Sequence, residues 1–370
     1  MSWTSDAERS LAERFTAVAA VDRSGTVVTD VDRVFEIGSV TKTMTASVLA
    51  LLVGEGVLGL DDEISRWLSA GPNGSITVRQ LATHTSGLPS MAPGRHSWDG
   101  YTFQRAEADL RRVVVGSPRY SNLGFQLLGL ILERASGVDY RALVTSRLLV
   151  PLGMAASTFG DEYPLGAGGV EATIDDLSRY ARACLFPPSS ALGSAIVVAQ
   201  EQGLGWVRTH GVCEHSGGTR GCSGCVSVDS GRGRAVAILT DEPGGPARSD
   251  YLKRVARVVL AGGDPGRVAE LVPWAGWRDE VVAVARDFVA GRVDLVHARL
   301  VAGKRSTVSV AQLAAAWAAR GGGGGGEIVV GEHSVAATGA VVVDLVVGVV
   351  RLRVAVLPGG EIGGLGFPEG

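Results

Sequence analysis

The chain has 370 residues, 46% of them hydrophobic, and a formal net charge of −3. That length exceeds one ordinary hydrophobic core and suits two unequal domains, and the apolar content excludes a disordered chain. The slight acidic balance argues against a nucleic-acid partner, which calls for a basic excess gathered on one face.

Residues 1–15 carry Asp6, Glu8 and Glu13 and lack an apolar run of leader length. Later apolar runs are too short or too interrupted to span a bilayer, so no membrane partner and a cytoplasmic location are expected. Residues 15–21 read as a first strand that turns at Ser24 and Gly25 into a second at 26–29. Residues 38–53 are apolar almost all round, the pattern of a helix buried in a domain centre, and Gly54 and Gly56 stop it. A turn at Asp61 and Asp62 leads to a helix near 64–68, and 122–135 repeats the helical pattern. Strand-like runs follow at 226–228 and 235–240, with a closing helix at 251–260.

The composition then changes. A first domain over 1–262, a linker over 263–274 and a second unit over 275–370 are expected, the linker opening Gly263-Asp264-Pro265-Gly266. In the second unit, 277–290 and 309–320 read as helices. Ser309 and Gln312 stand in capping-box spacing, and Gly321 is placed to cap the far end. The six glycines 321–326 read as a flexible connector. Strands are expected at 327–330, 340–347, 349–357 and 361–367, with a turn at 358–360. Helices followed by such a meander give an α+β unit, and the whole chain is α/β in class.

The chemistry concentrates in three places. Ser39-Val40-Thr41-Lys42 sets a hydroxyl and an amine three residues apart, on one face of the buried helix. A serine needs an adjacent base to act as a nucleophile, and burial favours the neutral amine that can take its proton. The helix start offers free N–H groups to a developing oxyanion. Taken alone, the pattern also fits a capped helix with an exposed lysine. Tyr120-Ser121-Asn122 opens the 122–135 helix; a tyrosine there relays protons and an asparagine holds a substrate amide, or the three simply cap the helix. His215-Ser216-Gly217-Gly218 lets a backbone approach a ligand closely, or forms a glycine-rich turn.

In this order these residues resemble the three boxes of the serine β-lactamase and penicillin-binding-protein family, in its class C, D,D-peptidase and esterase branch. Secondary stretches agree: Phe35-Glu-Ile-Gly-Ser-Val-Thr-Lys-Thr-Met-Thr-Ala46, Gln80-Leu-Ala-Thr-His-Thr-Ser-Gly-Leu-Pro89, Pro151-Leu-Gly-Met154, Ala172-Thr-Ile-Asp-Asp-Leu177 and Gly203-Leu-Gly-Trp206. The resemblance covers about residues 12–262 and implies a β-lactamase/transpeptidase-like domain, a central antiparallel sheet flanked by helices. It implies acylation of Ser39, proton movement by Lys42 and Tyr120, and substrate binding by Asn122 with the 215–218 segment, including Ser216 and Gly217. The N–H groups of Ser39 and Gly218 would form the oxyanion hole. His215 stands where typical β-lactamases carry lysine, which shifts the expectation to an esterase or peptidase acting on a small ester, amide or lactam. Transfer of the acyl group to an amine acceptor, and a non-catalytic sensor, remain the alternatives. The second unit is similar to small cystatin-like or nuclear-transport-factor-like α+β domains, through Ala311-Gln-Leu-Ala-Ala-Ala-Trp317 and the 362–368 segment. Its expected roles are dimerisation, covering the active site, or binding an acyl or apolar group.

The four cysteines, Cys184, Cys213, Cys222 and Cys225, are expected reduced and buried, because no second C-x-x-C pair accompanies Cys222 and Cys225. No metal and no cofactor are implied. His84 reads as a tie within its own loop, while Trp98, Tyr101 and Tyr163 sit in loops suited equally to lining a pocket and to packing at its rim.

Overall fold

The computed structural model describes residues 2–94, 97–98, 100–268, 277–290, 292–298, 300, 310–318, 328–335, 341–347, 350–356 and 362–366. It divides into two compact units, Met1–Gly245 with Ser249–Val268, and Pro246–Arg248 with Ala269–Gly370.

The first unit is built on Ala17–Asp22 (β1), an unbroken apolar run because both of its faces are covered. Ala17, Ala19 and Val21 enter one core cluster, and Val18 and Ala20 enter another on the opposite face. Gly25–Val28 (β2) pairs with β1 through the expected turn. Two short strands, Phe35–Glu36 (β3) and Thr158–Phe159 (β4), flank Val170–Ala172 (β5) in a small separate sheet. Val207–Thr209 (β6), Val212–Gly218 (β7), Ser223–Asp229 (β8) and Arg234–Thr240 (β9) complete the main sheet, whose order is β2-β1-β9-β8-β7-β6. Every neighbouring pair in it is antiparallel.

One face of this sheet is covered by Trp3–Ala12 (α1) and, late in the chain, by Pro246–Leu260, which supply Leu11, Leu252, Val255 and Ala256. The other faces the large helical core. At its centre is Thr41–Gly54 (α2), buried at every position from Thr41 to Leu52. Its all-round apolar sequence has this cause: each face meets protein, including Asn122–Ser136 (α3), Leu165–Gly168 (α4) and Ala191–Glu201 (α6). Ile174–Leu185 (α5) packs between helical core and sheet. Each Leu, Ile or Phe buried here contributes about 1.5–3 kcal/mol. Ser121 caps α3 by accepting the Gly124 N–H, and Gly137, left-handed at φ +70°, closes it.

The sequence reading needs three corrections here. His215 to Gly218 form the end of strand β7 and not a turn. The expected helix near 64–68 is a single 3₁₀ turn, Ile64–Arg66. Cys184, Cys222 and Cys225 are buried and all four cysteines are free, but Cys213 is only half-buried.

In the second unit Trp277–Val289, Val293–Ala298 and Val310–Ala318 are helical, and Phe288 stacks on Trp317 at 4.9 Å. Ile328–Val335, Val341–Val347, Val350–Val356 and Ile362–Gly366 follow as a four-stranded antiparallel meander. Part of the expected 263–274 linker, Ser309, the glycine run 321–326 and the 358–360 turn lie outside the described residues. No described helix is long and apolar enough to cross a membrane.

Candidate active site

Ser39 sits in a short 3₁₀ turn, Gly38–Val40, that runs directly into α2. The turn exists because Gly38 adopts φ +50°, and a Cβ there would lie 2.8 Å from the Gly218 nitrogen. Three residues on, the Lys42 side chain doubles back along the helix and places Nζ 2.9 Å from Ser39 Oγ. Nζ also meets Asn122 Oδ1 and the Ala167 carbonyl oxygen, both at 2.7 Å. On the other side of the serine, the Tyr120 hydroxyl donates to Ser39 Oγ at 2.7 Å.

Lys42 is fully buried, and burial holds its pKa well below the usual lysine range. Three oxygen neighbours and the Tyr120 ring, whose centroid is 4.9 Å from Nζ, favour the ammonium form. Burial outweighs them, because every one of those oxygens is neutral. The neutral amine still fits: it donates two hydrogens to Asn122 and Ala167 and accepts the third contact from the Ser39 hydroxyl. The line Tyr120 O–H to Ser39 O–H to Lys42 Nζ is then a continuous proton path, able to draw a proton from the serine as its oxygen bonds to carbon.

The Tyr120 segment is held from behind by the 84–90 loop. The Ser121 hydroxyl donates to the Pro89 carbonyl, the Leu123 N–H to the Ser90 carbonyl, and Asn122 Nδ2 to Ser90 Oγ at 3.1 Å. His84 Nδ1 accepts the Ser121 N–H at 3.0 Å. Its pKa is pushed down to about 3, chiefly by burial.

Strand β7 forms the opposite wall. His215 is buried, with its Nδ1 donating to the Ser216 carbonyl at 2.8 Å and its ring 6.4 Å from that of Tyr120. Burial depresses its pKa well below the ordinary value, so it is a neutral ring. Gly217 and Gly218 run against the serine turn: a Cβ on Gly217 would stand 1.9 Å from the Ile37 carbonyl and 2.8 Å from the Ser39 nitrogen. Any side chain at 217 would push this strand off the site. Ser216 contributes backbone only, since strand alternation turns its side chain to the far face with Glu214.

Beyond Gly218 opens a cavity of about 340 Å³ bounded by Met91, Trp98, Tyr163, Arg220 and Gly244. Of the three loop aromatics, Trp98 and Tyr163 line it. Tyr101 is buried behind Trp98 in an edge-on contact at 5.2 Å. The Tyr163 hydroxyl accepts the Arg220 N–H at 2.7 Å and so braces the rim.

All eight candidate residues of the sequence reading thus lie around one serine, Ser216 by its main chain alone. Two participants escaped it. The Ala167 carbonyl carries no side-chain signal. Ser90 lies one position past the Gln80–Pro89 stretch. Among the described residues no group of His, Cys, Asp and Glu side chains is assembled as a metal site.

The β-lactamase family profile matches residues 6–261. A penicillin-binding protein of Bacillus subtilis is 33% identical over 132 residues, 32% of this chain and 29% of that protein. The D-alanyl-D-alanine-carboxypeptidase/endopeptidase AmpH of Escherichia coli is 32% identical over 186 residues, 40% of this chain and 48% of its own. The chain therefore matches less than half the length of these curated relatives. Among solved structures, a β-lactamase/D-alanine carboxypeptidase from Yersinia pestis superposes with a TM-score of 0.59 at 20% identity, over 69% of this chain and 98% of that one. An octameric penicillin-binding protein homologue from Pyrococcus abyssi gives a TM-score of 0.59 at 19% identity, over 95% and 86%. At these identities the structural likenesses establish the fold.

Proposed function

The chain belongs to the β-lactamase family, and from that membership we propose that it is a serine hydrolase that cleaves a small ester or amide through an acyl-enzyme on Ser39. The observation that carries this reading is the hydrogen-bonded line from Tyr120 through Ser39 to buried Lys42. Ser39 Oγ attacks the substrate carbonyl carbon while Lys42 takes its proton. The oxyanion is held by the N–H groups of Ser39, in its 3₁₀ turn, and of Gly218, at the end of β7, which Gly38 and Gly217 let approach each other. Tyr120 passes a proton to the departing alcohol or amine and recovers one from Lys42. Water then attacks the ester by the same relay in reverse, freeing the acid and Ser39. Asn122 and the β7 edge hold the substrate, whose acyl part reaches the cavity walled by Trp98 and Tyr163.

Relatives named as D-alanyl-D-alanine carboxypeptidases support a D-amino-acid amide among the substrates. His215, neutral and buried, offers no fixed cation to a penicillin carboxylate. The test is product analysis with activated esters, D-amino-acid amides and penicillins, each with and without added amines. Release of free acid from an ester or amide, with penicillins turned over slowly at most, is the expected result. Penicillin hydrolysis near ~10⁷ M⁻¹s⁻¹ contradicts the esterase/peptidase reading. Products diverted wholly to amine adducts identify an acyltransferase instead.

A further inference from the structure

His84 is outside the proton path, yet its surroundings are unusual for a loop histidine. It is left-handed, at φ +58°, a conformation that costs a side chain energy unless its surroundings hold it there. Its ring lies between two others, 4.4 Å from Tyr120 and 4.9 Å from Phe125. Nδ1 accepts the Ser121 N–H, which fixes the proton on Nε2, and Nε2 is enclosed without a hydrogen-bond partner. Leaving an enclosed donor without a partner is unfavourable. A residue serving only to tie its loop has cheaper solutions, since an asparagine accepts the same N–H and tolerates the same φ.

Resting on the acyl-enzyme reading above, we propose that His84 is a positioning residue for Tyr120: its ring and its Nδ1 together set the direction of the Tyr120 hydroxyl toward Ser39. The hydrogen bond pins the backbone immediately after Tyr120, and the ring blocks rotation of the tyrosine away from the serine. Tyr120 needs such help because it is 43% exposed, and its own hydroxyl contact to Ser39 Oγ must survive the arrival of substrate. The groups facing His84 are Tyr120, Phe125, Lys42 and His215, and neutral His84 brings no positive charge among them.

The test is a double-mutant cycle on the acylation rate with a small activated ester. His84→Gly keeps the backbone conformation and removes both contacts, so acylation falls about 100-fold, the scale of an ångström of misplacement. His84→Asn restores the acceptor and loses only the ring, so its loss is about tenfold. Because the effect passes through the tyrosine hydroxyl, both losses shrink to under about threefold in a Tyr120→Phe background. If the glycine variant fails to fold, the asparagine arm of the cycle reads the same coupling. Wild-type acylation in the folded variants, or undiminished losses in the Tyr120→Phe background, overturns the inference and makes His84 a loop tie. Ser39→Ala measured alongside separates the two readings: activity surviving in that variant refutes the acyl-enzyme proposal itself.

Discussion

Lys42 and Glu214 are both buried ionisable side chains, on opposite sides of the main sheet's β7 end, and they are treated differently. Glu214 is 1% exposed and meets Arg257 at 2.5 Å; burial raises its pKa, and Arg257 and Lys253 pull it back. Lys42 has neutral oxygens and aromatic rings as neighbours, and burial alone shifts it. A buried charge given an opposite charge is a structural tie. A buried amine given only neutral acceptors has its pKa lowered by burial, toward the form that takes protons.

The contrast breaks if the two residues respond alike to substitution. Lys42→Met should slow acylation by about 10³-fold or more, since general-base removal alone reaches 10²–10⁴. Its stability should also lose a pH dependence. Below pH 10.5 the unfolded chain binds a proton that native Lys42 resists, so wild-type stability falls with acidification until the native pKa is reached, by about 1.4 kcal/mol per pH unit. The Met variant should therefore gain on the wild type as pH falls through that window, in denaturant titrations at several pH values. Equal slopes would show that Lys42 is not held neutral. Tyr120→Phe should cost acylation about 10²-fold and leave the melting temperature nearly unchanged, because the ring is retained and its hydroxyl lies at the cleft. Glu214→Gln sharpens the other half. It should cost about 1–3 kcal/mol of stability, with acylation changed less than about threefold. A large loss of activity there would tie the far face of the sheet to the chemistry.

Much of this arrangement was legible before any coordinates. The α2 and α3 helices announce themselves by apolar residues on every side and by Ser121 and Gly137 at the ends of α3. β1 and β2 show as runs broken by Ser24 and Gly25. What stayed hidden depends on the partner rather than on the residue. Gly217 and Gly218 also suit a turn, and only their pairing with Gly224 and Ser223 shows that a strand carries them, close enough to the Ile37 carbonyl to leave no room for a Cβ at 217. The Ala167 carbonyl is a main-chain atom, indistinguishable in sequence from any other. The helices α1, α5 and α6 were unread, although each is capped by a serine or threonine.

The central claim is that Ser39 is the activated hydroxyl of this chain. Reaction of the folded protein with a fluorophosphonate, followed by intact-mass and peptide-mass analysis, tests it most directly. The account predicts one adduct, carried by the peptide that contains Ser39, and none in Ser39→Ala protein of unchanged melting temperature. An adduct on any other residue, or labelling that persists in Ser39→Ala, would contradict it.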